Sequence, residues 1–282
     1  MKILILGAHG MLGFTLFNYL NSKKNLKVFG TIRKEVSKQK NIFTKVDIKN
    51  FKLLKKKIAE ISPDLIINCI GIVKSEVKNI SKNQVIKINS KLPNYLNKVS
   101  KKLNFKLIHI STDCVFSGKN KINSEKSITK PLDLYGKSKL AGEFKSDTNI
   151  VIRTSIIGHE IEYKRGLLEW FLKQEGSIFG FSKAFFSGLT TLELSKIIYE
   201  KMIFNKDLSG MFHISGKKIN KYNLLKKIKK IYNKKINIKK ENKFSINRSL
   251  DSTRFRLQTG YIKKNWDIMI LENKRFFFRY AK

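Results

Sequence analysis

The sequence ILILGAHGMLG, residues 3–13, joins a short apolar run to three glycines spaced as G-x-x-G-x-x-G. The run at 3–6 predicts a strand that is buried on both faces of a parallel sheet. The segment 11–20 then places apolar residues on one stripe of a helix. A strand, a glycine turn and a helix N-terminus in this order form a phosphate cradle, because backbone N–H groups and the helix dipole favour an anion. We predict a dinucleotide site there; the alternative is a glycine turn without a ligand. The expected contacts are Gly7, His9, Gly10, Met11, Leu12 and Gly13.

Strand-like and helix-like segments alternate through the first half of the chain. This alternation predicts right-handed crossovers and an α/β fold with a Rossmann-type, doubly wound parallel sheet. After the first strand, the predicted strands are 26–31, 42–48, 63–71, 105–110 and 149–153, and the predicted helices are 11–20, 51–61 and 84–103, the last interrupted near Pro93. We assign residues 1–155 to the dinucleotide-binding domain and 156–282 mainly to a smaller C-terminal substrate-binding lobe. A strand near 210–215 is expected to complete the sheet.

Two cations follow the second predicted strand, where a chain selective for NAD usually carries an acid for the ribose hydroxyls. Here the strand leads into Arg33 and Lys34, and the first acid is Glu35. Because such cations can pair with a 2′-phosphate, we predict NADP(H) in preference to NAD(H). The alternative is two ordinary surface cations. Asp47 closes the third predicted strand and is placed to reach an adenine edge.

The stretch DLYGKSKLAGE, residues 133–143, places Tyr135 and Lys139 four positions apart. In a helix these two side chains share a face about one turn apart. A neighbouring ammonium stabilises a phenolate and lowers the tyrosine pKa from about 10 toward the working pH. Thr112 ends the fifth predicted strand, so its hydroxyl, the phenol and the ammonium are expected to meet at one carbonyl. The alternative role for Thr112 is to cap the strand–loop junction.

The chain of 282 residues carries 59 lysines and arginines against 21 acids, a net charge of +38. Such a charge attracts polyanions and invites a nucleic-acid interpretation. The lysines, however, are spread along the chain and are not gathered on one element with interleaved aromatics. We therefore attribute the charge to a compositional bias toward A- and T-rich codons and predict no specific nucleic-acid partner.

Two cysteines, Cys69 and Cys114, imply no disulfide framework. Met1 leads directly into a predicted core strand, so we expect no signal peptide. No apolar run approaches the roughly 20 residues of a membrane span. These features predict a cytoplasmic protein without a membrane partner, and we predict no metal site.

Taken together, the motifs resemble the extended short-chain dehydrogenase/reductases, and most closely the dTDP-4-dehydrorhamnose reductase group. The motifs that carry the resemblance are GAHGMLG (7–13), SPDLIIN (62–68), STDCVFSG (111–118), DLYGKSKLAGE (133–143), VIRTS (151–155), GLTTLEL (188–194), GMFHISG (210–216) and RSLDSTRF (248–255). The resemblance implies hydride transfer from NAD(P)H to the C4 keto carbon of a nucleotide-linked 6-deoxy-sugar. It also implies that Tyr135 donates the proton, that Lys139 lowers the tyrosine pKa and binds the nicotinamide ribose, and that Thr112 bonds the carbonyl oxygen.

The resemblance extends to further contact residues. The remaining expected cofactor contacts are Arg33, Asp47, Ile48, Cys69, Ile70, Gly71, Tyr135 and Lys139, and the expected substrate contacts are Asp113, Cys114, His159, Trp170 and Arg248. Three positions depart from the family pattern. Cys114 replaces a frequent aromatic, the segment 156–160 lacks a common tryptophan, and Thr15 replaces an acid that bridges some dimers through a metal. The identity of the sugar is therefore open, and a homodimer is allowed by the sequence but not through that metal.

Three functions compete at this point. The leading one is an NADPH-dependent 4-keto reductase acting on a nucleotide-linked sugar. A 4-epimerase or a 4,6-dehydratase is the second; a dehydratase is disfavoured because Cys114 stands where that chemistry needs a glutamate beside Asp113. The third is a non-catalytic regulatory subunit that binds dinucleotide, like the beta subunit of methionine adenosyltransferase.

Overall fold

The computed structural model describes residues 1–33, 41–119, 122–162 and 164–281. The strands are β1 (Lys2–Leu6), β2 (Lys27–Thr31), β3 (Ile42–Phe43), β4 (Leu65–Asn68), β5 (Lys106–Ile110), β6 (Ile150–Arg153), β7 (Ile156–Ile157), β8 (Ser177–Phe186), β9 (Leu189–Thr190), β10 (Gly210–His213), β11 (Ile219–Asn220) and β12 (Asn237–Asn247). The helices are α1 (Met11–Asn21), α2 (Phe51–Ile61), α3 (Lys82–Ile86), α4 (Leu92–Leu103), α5 (Leu134–Leu140), α6 (Leu167–Lys173), α7 (Thr191–Ile197), α8 (Lys221–Tyr232), α9 (Thr253–Thr259) and α10 (Trp266–Tyr280).

A seven-stranded sheet in the order β10-β6-β5-β4-β1-β2-β3 forms the centre of the molecule. All of its neighbouring strands are parallel. The four residues of β4 are all buried, as expected for a strand covered by helices on both faces. The predicted Rossmann-type doubly wound sheet is confirmed.

The C-terminal part of the chain contributes both to this sheet and to a separate one. β10 lies in register beside β6, with Gly210 opposite Ile150 and His213 opposite Arg153. A second sheet has the order β11-β8-β12, and β7 pairs with β9. The division of the chain into domains at residue 155 stays a prediction. None of the helices within the described ranges has the length and apolarity that a membrane crossing requires.

The third strand is shorter than the predicted 42–48 and ends at Phe43. Lys45 has a φ of 54°, in the left-handed region that interrupts extended backbone. After this turn the Val46 N–H donates to the Ile32 carbonyl oxygen at 3.1 Å. The chain therefore leaves the sheet edge early, and Asp47 lies in a loop instead of closing a strand.

The long helix predicted over 84–103 runs from Lys82 to Leu103 with a π-helical stretch at Lys87–Lys91. Proline lacks an N–H group, and its ring crowds the carbonyl four residues earlier. For Pro93 that carbonyl belongs to Asn89, inside the widened stretch. The interruption near Pro93 is thus a change of helical register and leaves the helix continuous.

The contact between α1 and the preceding turn leaves no room for a side chain at Gly13. A Cβ there would lie 2.0 Å from the Gly7 carbonyl oxygen. We expect Gly13→Ala to lower the free energy of unfolding by about 1–3 kcal/mol, because backbone must move to relieve the overlap. Urea denaturation measures this loss. The control is Gly10→Ala, whose Cβ would lie 3.4 Å from the same oxygen; an equal loss in both variants would contradict the steric explanation.

Candidate active site

The carboxyl ends of the parallel strands meet along one edge of the central sheet. Gly7 follows β1, Ile32 follows β2, Cys69 follows β4 and Ser111 follows β5. Ligands of doubly wound sheets bind at this edge. The predicted site residues that follow these strands are therefore neighbours in space.

The glycine loop after β1 has the geometry of a phosphate cradle. Gly7 has a φ of 85°, and the Gly10 N–H donates to the Gly7 carbonyl oxygen at 3.0 Å, which closes a tight turn. α1 begins at Met11 with Gly10 as its N-cap, and no side chain caps this helix end. The N–H groups of Met11, Leu12 and Gly13 thus remain available to an anion. The loop fits the diphosphate of a dinucleotide.

The flanks of this loop are formed by other predicted contacts. A Cβ on Gly7 would lie 2.8 Å from Cγ1 of Ile70, so the loop after β4 packs directly on the turn. Burial raises the pKa of the neighbouring Cys69 thiol to about 12, which keeps it neutral. On the other flank, Nδ1 of His9 lies 3.5 Å from Oε1 of Glu162. The loop after β4 and the segment that carries Glu162 thus border the cradle.

The other end of the predicted dinucleotide site lies beside the loop after β3. Asp47 lines an open cavity together with Lys49, Asn50, Phe51, Gln84 and Lys87. Oδ1 of Asp47 accepts a hydrogen bond from the Lys49 N–H at 3.0 Å. The neighbouring Ile48 packs against buried hydrophobic residues of the core. Arg33 is exposed at the end of β2, while Lys34 and Glu35 lie outside the described residues.

Thr112 and Tyr135 are in contact. The Thr112 hydroxyl accepts the Cys114 N–H at 3.1 Å, as a cap of the short turn Asp113–Val115. The same hydroxyl donates to Oδ1 of Asp113 at 3.3 Å and lies close enough to the Tyr135 phenol to lower its pKa. Close packing makes this contact, because a Cβ on Gly136 would lie 2.4 Å from the Cys114 carbonyl oxygen. Thr112 therefore caps this turn, and its role at the substrate carbonyl stays a prediction.

Lys139 lies one helical turn after Tyr135 and is buried. Its Nζ donates to the Ile110 carbonyl oxygen at 2.6 Å, and a Cβ on Gly71 would lie 3.7 Å from the same nitrogen. Burial lowers the pKa of Lys139 to about 8, and Glu143 and Cys69 raise it. The ammonium is thus positioned between the ends of β4 and β5.

The Tyr135 phenol keeps its proton at neutral pH in this arrangement. Burial raises its pKa most, Cys114 raises it further, and the hydrogen bond with Thr112 lowers it. The predicted lowering by Lys139 is not among these principal effects, since the Lys139 ammonium is directed to the Ile110 carbonyl. A phenol that is protonated at neutral pH is suited to donate a proton.

A residue that the sequence analysis missed holds α5 in place. The Asn89 side chain accepts the Ile72 N–H at 2.8 Å and donates to the Ile72 carbonyl at 3.0 Å and to the Ser138 hydroxyl at 3.0 Å. It therefore ties the loop after β4 to the helix that carries Tyr135. The only signal in the sequence is a polar residue on an otherwise apolar helix face.

Three of the five predicted substrate contacts lie together. Nη1 of Arg248, which follows β12, donates to Sγ of Cys114 at 3.1 Å. Burial raises the pKa of Asp113, and Arg248 and Lys221 lower it. The C-terminal part of the chain therefore reaches Asp113 and Cys114 through Arg248 and Lys221, and the sequence analysis did not single out Lys221.

His159 and Trp170, the other two predicted substrate contacts, lie apart from this group of residues. His159 is only 4% exposed, with Nδ1 2.6 Å from Oε1 of Glu169 and Nε2 2.8 Å from the hydroxyl of Tyr232. Both ring nitrogens are occupied, so this side chain has none left for a sugar. Trp170 is 40% exposed on α6. Among the described residues, no hydrogen bond, ion pair or ring contact joins either side chain to Thr112, Tyr135 or Lys139.

The Thr15 side chain forms hydrogen bonds between helices inside the fold. Its hydroxyl donates to Oγ1 of Thr191 at 3.0 Å, and Thr191 in turn donates to Oδ1 of Asn273 at 2.9 Å. These bonds join α1, α7 and α10. Within the described ranges no group of three or more His, Cys, Asp or Glu side chains is arranged to hold a metal ion.

Comparisons with known proteins identify the family of the chain. The family model described as "RmlD substrate binding domain" matches residues 1–253. The dTDP-4-dehydrorhamnose reductase of Aggregatibacter actinomycetemcomitans is 30% identical over 159 residues, which cover 55% of this chain and 51% of that protein. The chain thus aligns with about half the length of this reductase. Methionine adenosyltransferase 2 subunit beta of Rattus norvegicus is 25% identical over 235 residues, 76% of this chain and 67% of that protein.

Solved structures share the fold over nearly the whole chain. A hypothetical dTDP-4-dehydrorhamnose reductase from Sulfolobus tokodaii superposes with a TM-score of 0.79 at 27% identity, covering 95% of this chain and 98% of that one. The dTDP-4-dehydrorhamnose reductase of Bacillus anthracis in complex with NADP gives a TM-score of 0.79 at 24% identity, with 99% of each chain covered. At that identity the second likeness concerns the fold alone.

Proposed function

Because the chain belongs to the RmlD substrate binding domain family, we propose that it binds a nicotinamide dinucleotide and reduces a nucleotide-linked 4-keto-6-deoxy-sugar at C4. The observation that supports this proposal is the placement of Thr112, Tyr135 and the buried Lys139 together at the sheet edge that also carries the glycine loop. The similarity to a dTDP-4-dehydrorhamnose reductase supports the proposed reduction. The cytoplasmic location and a homodimer stay predictions from the sequence.

Each residue has a separate task in this reaction. The turn at 7–13 holds the diphosphate through backbone N–H groups, and the Lys139 ammonium binds the nicotinamide ribose. When bound, the cofactor supplies the hydride. Thr112 orients the substrate carbonyl by a hydrogen bond to its oxygen, and Tyr135 donates its phenolic proton to the alkoxide oxygen as charge develops there. Burial of Thr112 and Lys139 excludes water from these contacts.

The proposal is tested with the purified protein, NADPH and dTDP-4-keto-6-deoxy-L-mannose. We expect one NADPH to be oxidised for each sugar reduced, followed by its absorbance, and the configuration at C4 of the product is read by NMR. An epimerase retains its nicotinamide through turnover, so stoichiometric oxidation excludes that alternative. NADPH consumption that is no faster with the keto-sugar than without it would contradict the reductase proposal.

The preference for NADP(H) is proposed from Arg33. We expect Arg33→Ala to weaken NADPH binding about tenfold, because a charge-assisted hydrogen bond to the 2′-phosphate contributes about 1.5–3 kcal/mol. NADH binding should not change, since NADH lacks that phosphate. Fluorescence titration with both cofactors measures the difference, with the exposed Lys24→Ala as control. An equal loss for NADPH and NADH would exclude this role for Arg33.

A second candidate is a dinucleotide-binding regulatory subunit that performs no reduction. The similarity to methionine adenosyltransferase 2 subunit beta, which extends over 76% of this chain, favours it. Tight binding of NADPH, no turnover of any nucleotide-linked keto-sugar and co-purification with an enzyme would together support this candidate over the reductase.

A further inference from the structure

The end of β5 carries two groups of the proposed reaction, one on either side of Ser111. The Ile110 carbonyl oxygen accepts a hydrogen bond from the Lys139 ammonium at 2.6 Å, and Thr112 follows Ser111 in the chain. The Ser111 N–H donates to a carbonyl oxygen of β6 at 2.6 Å, so the backbone is still joined to the sheet here. The position of segment 110–112 therefore determines where both the ammonium and the threonine hydroxyl lie.

The Ser111 side chain ties this segment to the turn that follows α5. Its hydroxyl is buried and donates to Oε1 of Glu143 at 2.6 Å. Glu143 comes four residues after Lys139, and its N–H donates to the Leu140 carbonyl oxygen at 3.1 Å. Two side chains thus join the end of β5 to α5 and the turn after it, Lys139 from the helix and Ser111 from the strand.

Glu143 is itself fixed by a cation on β6. Nη2 of Arg153 donates to Oε2 of Glu143 at 2.6 Å, and Nε of Arg153 donates to Oε1 at 3.0 Å. The guanidinium also lies over the Phe116 ring, 5.2 Å from its centre. Arg153 therefore balances the carboxylate charge whether or not Ser111 is bonded to it. Because the hydroxyl is not required for charge balance, the main effect of its bond is to fix the position of segment 110–112.

The position of this segment matters because the proposed reaction requires close contacts. Reacting atoms must lie about 3–3.5 Å apart, and a misplacement of about 1 Å can lower the rate about 100-fold. A hydrogen bond to a carboxylate is shorter and stronger than one between neutral groups. The bond from Ser111 to Glu143 is of this kind, so it holds the segment more firmly than a bond to a backbone carbonyl would.

Resting on the proposed function, we propose that Ser111 is a positioning residue for the reduction. Its bond to Glu143 holds segment 110–112 where the Thr112 hydroxyl reaches the substrate carbonyl while the Lys139 ammonium reaches the nicotinamide ribose. In this role Ser111 contacts neither the substrate nor the cofactor. It acts through the residues on either side of it, one of which carries the hydroxyl and the other the carbonyl that accepts the ammonium.

Ser111→Ala tests the proposal, because it removes the hydroxyl and leaves the ion pair of Glu143 in place. The matched control is Ser195→Ala. The Ser195 side chain is fully buried on α7, and its hydroxyl donates to the Thr191 carbonyl oxygen at 2.8 Å. Each variant thus loses one buried hydrogen bond, but only Ser111→Ala loses a bond that fixes the end of β5.

Two measurements separate misplacement from a general loss of folded protein. Stopped-flow absorbance follows NADPH oxidation in a single turnover with saturating dTDP-4-keto-6-deoxy-L-mannose. Its rate constant reports the placement of the reacting groups, and its amplitude reports the fraction of active protein. Backbone hydrogen–deuterium exchange of residues 110–115, followed by mass spectrometry without substrate, reports how firmly the segment is held.

We expect Ser111→Ala to lower the rate constant about 10–100-fold, to leave the amplitude and the KM for the sugar within about twofold of native, and to exchange faster at 110–115. Ser195→Ala should keep the native rate constant and the native exchange at 110–115. A native rate constant in Ser111→Ala, an equal loss in Ser195→Ala, or native exchange at 110–115 in Ser111→Ala overturns the proposal. If Ser111→Ala does not fold, Ser111→Cys carries the same test, because a thiol is a weak donor.

The outcome is separable from that of the proposed reduction. If the native protein oxidises no NADPH with nucleotide-linked keto-sugars, the reductase proposal fails, and the exchange at 110–115 still decides whether Ser111 fixes the segment. If the native protein reduces the sugar and Ser111→Ala does so at the same rate, the reductase proposal stands and Ser111 loses its assigned role.

Discussion

Replacing Tyr135 by phenylalanine is expected to reduce keto-sugar turnover by about 10²–10⁴-fold, the usual contribution of a positioned acid or base. The variant removes one oxygen, that of the phenol beside Thr112, and leaves the ring in place. NADPH binding should be retained, because the glycine loop is unaffected.

The measurement is kcat for dTDP-4-keto-6-deoxy-L-mannose together with a separate NADPH titration. Tyr280→Phe is the control, since that ring packs on Phe276 in the C-terminal helix, α10. A fall in kcat with unchanged cofactor affinity supports a proton-donor role. Full activity in Tyr135→Phe would contradict the role of Tyr135 as proton donor. Loss of NADPH binding would instead indicate that Tyr135 binds the cofactor.

Replacing Arg153 by methionine is expected to lower the free energy of unfolding by about 3–5 kcal/mol, because it leaves a buried carboxylate without its partner. Arg153 and Glu143 side chains are only 7% and 5% exposed, with Nη2 2.6 Å from Oε2. The Ser111 hydroxyl also donates to Oε1 of Glu143 at 2.6 Å. This ion pair stabilises the end of β6 and the turn after α5.

Urea denaturation of Arg153→Met, alone and combined with Glu143→Leu, separates the cost of the unpaired carboxylate from the cost of lost packing. We expect the double variant to recover much of the loss, since apolar replacement of both partners of a buried pair is often tolerated. The exposed pair Lys57–Glu60 provides the control, and Lys57→Met should leave the unfolding midpoint almost unchanged. A double variant as unstable as the single one would indicate that packing, not the unpaired charge, causes the loss.

Local patterns in the sequence were sufficient to predict the first helices of the chain and their bounds. The helix predicted over 51–61 has the same bounds in the structure, and that over 11–20 ends one residue later, at Asn21. Both segments have apolar residues at helical spacing, so the sequence of each segment alone predicts a helix. The family resemblance is likewise confirmed by the match over residues 1–253.

Contacts between distant segments could not be predicted in the same way. Lys221 has no distinguishing neighbours in a chain with 59 lysines and arginines, and only the fold brings it to Asp113. The hydrogen bonds of His159 to Glu169 and Tyr232 could not be predicted either, because the sequence does not show which residues a polar side chain contacts. The early end of β3 depends on the backbone conformation of a single lysine.

The position of β10 at the outer edge of the sheet affects how the chain behaves while it is being made. Thr112, Tyr135 and Lys139 all leave the ribosome before Gly210–His213, the strand that pairs with β6. Until that strand emerges, β6 is an open edge of four apolar or paired residues that are buried in the finished fold. Open edges recruit strands from other chains. A nascent polypeptide that pauses between these segments therefore already contains Thr112, Tyr135 and Lys139 but can still associate with other chains through β6. Pairing of β10 with β6 removes this open edge.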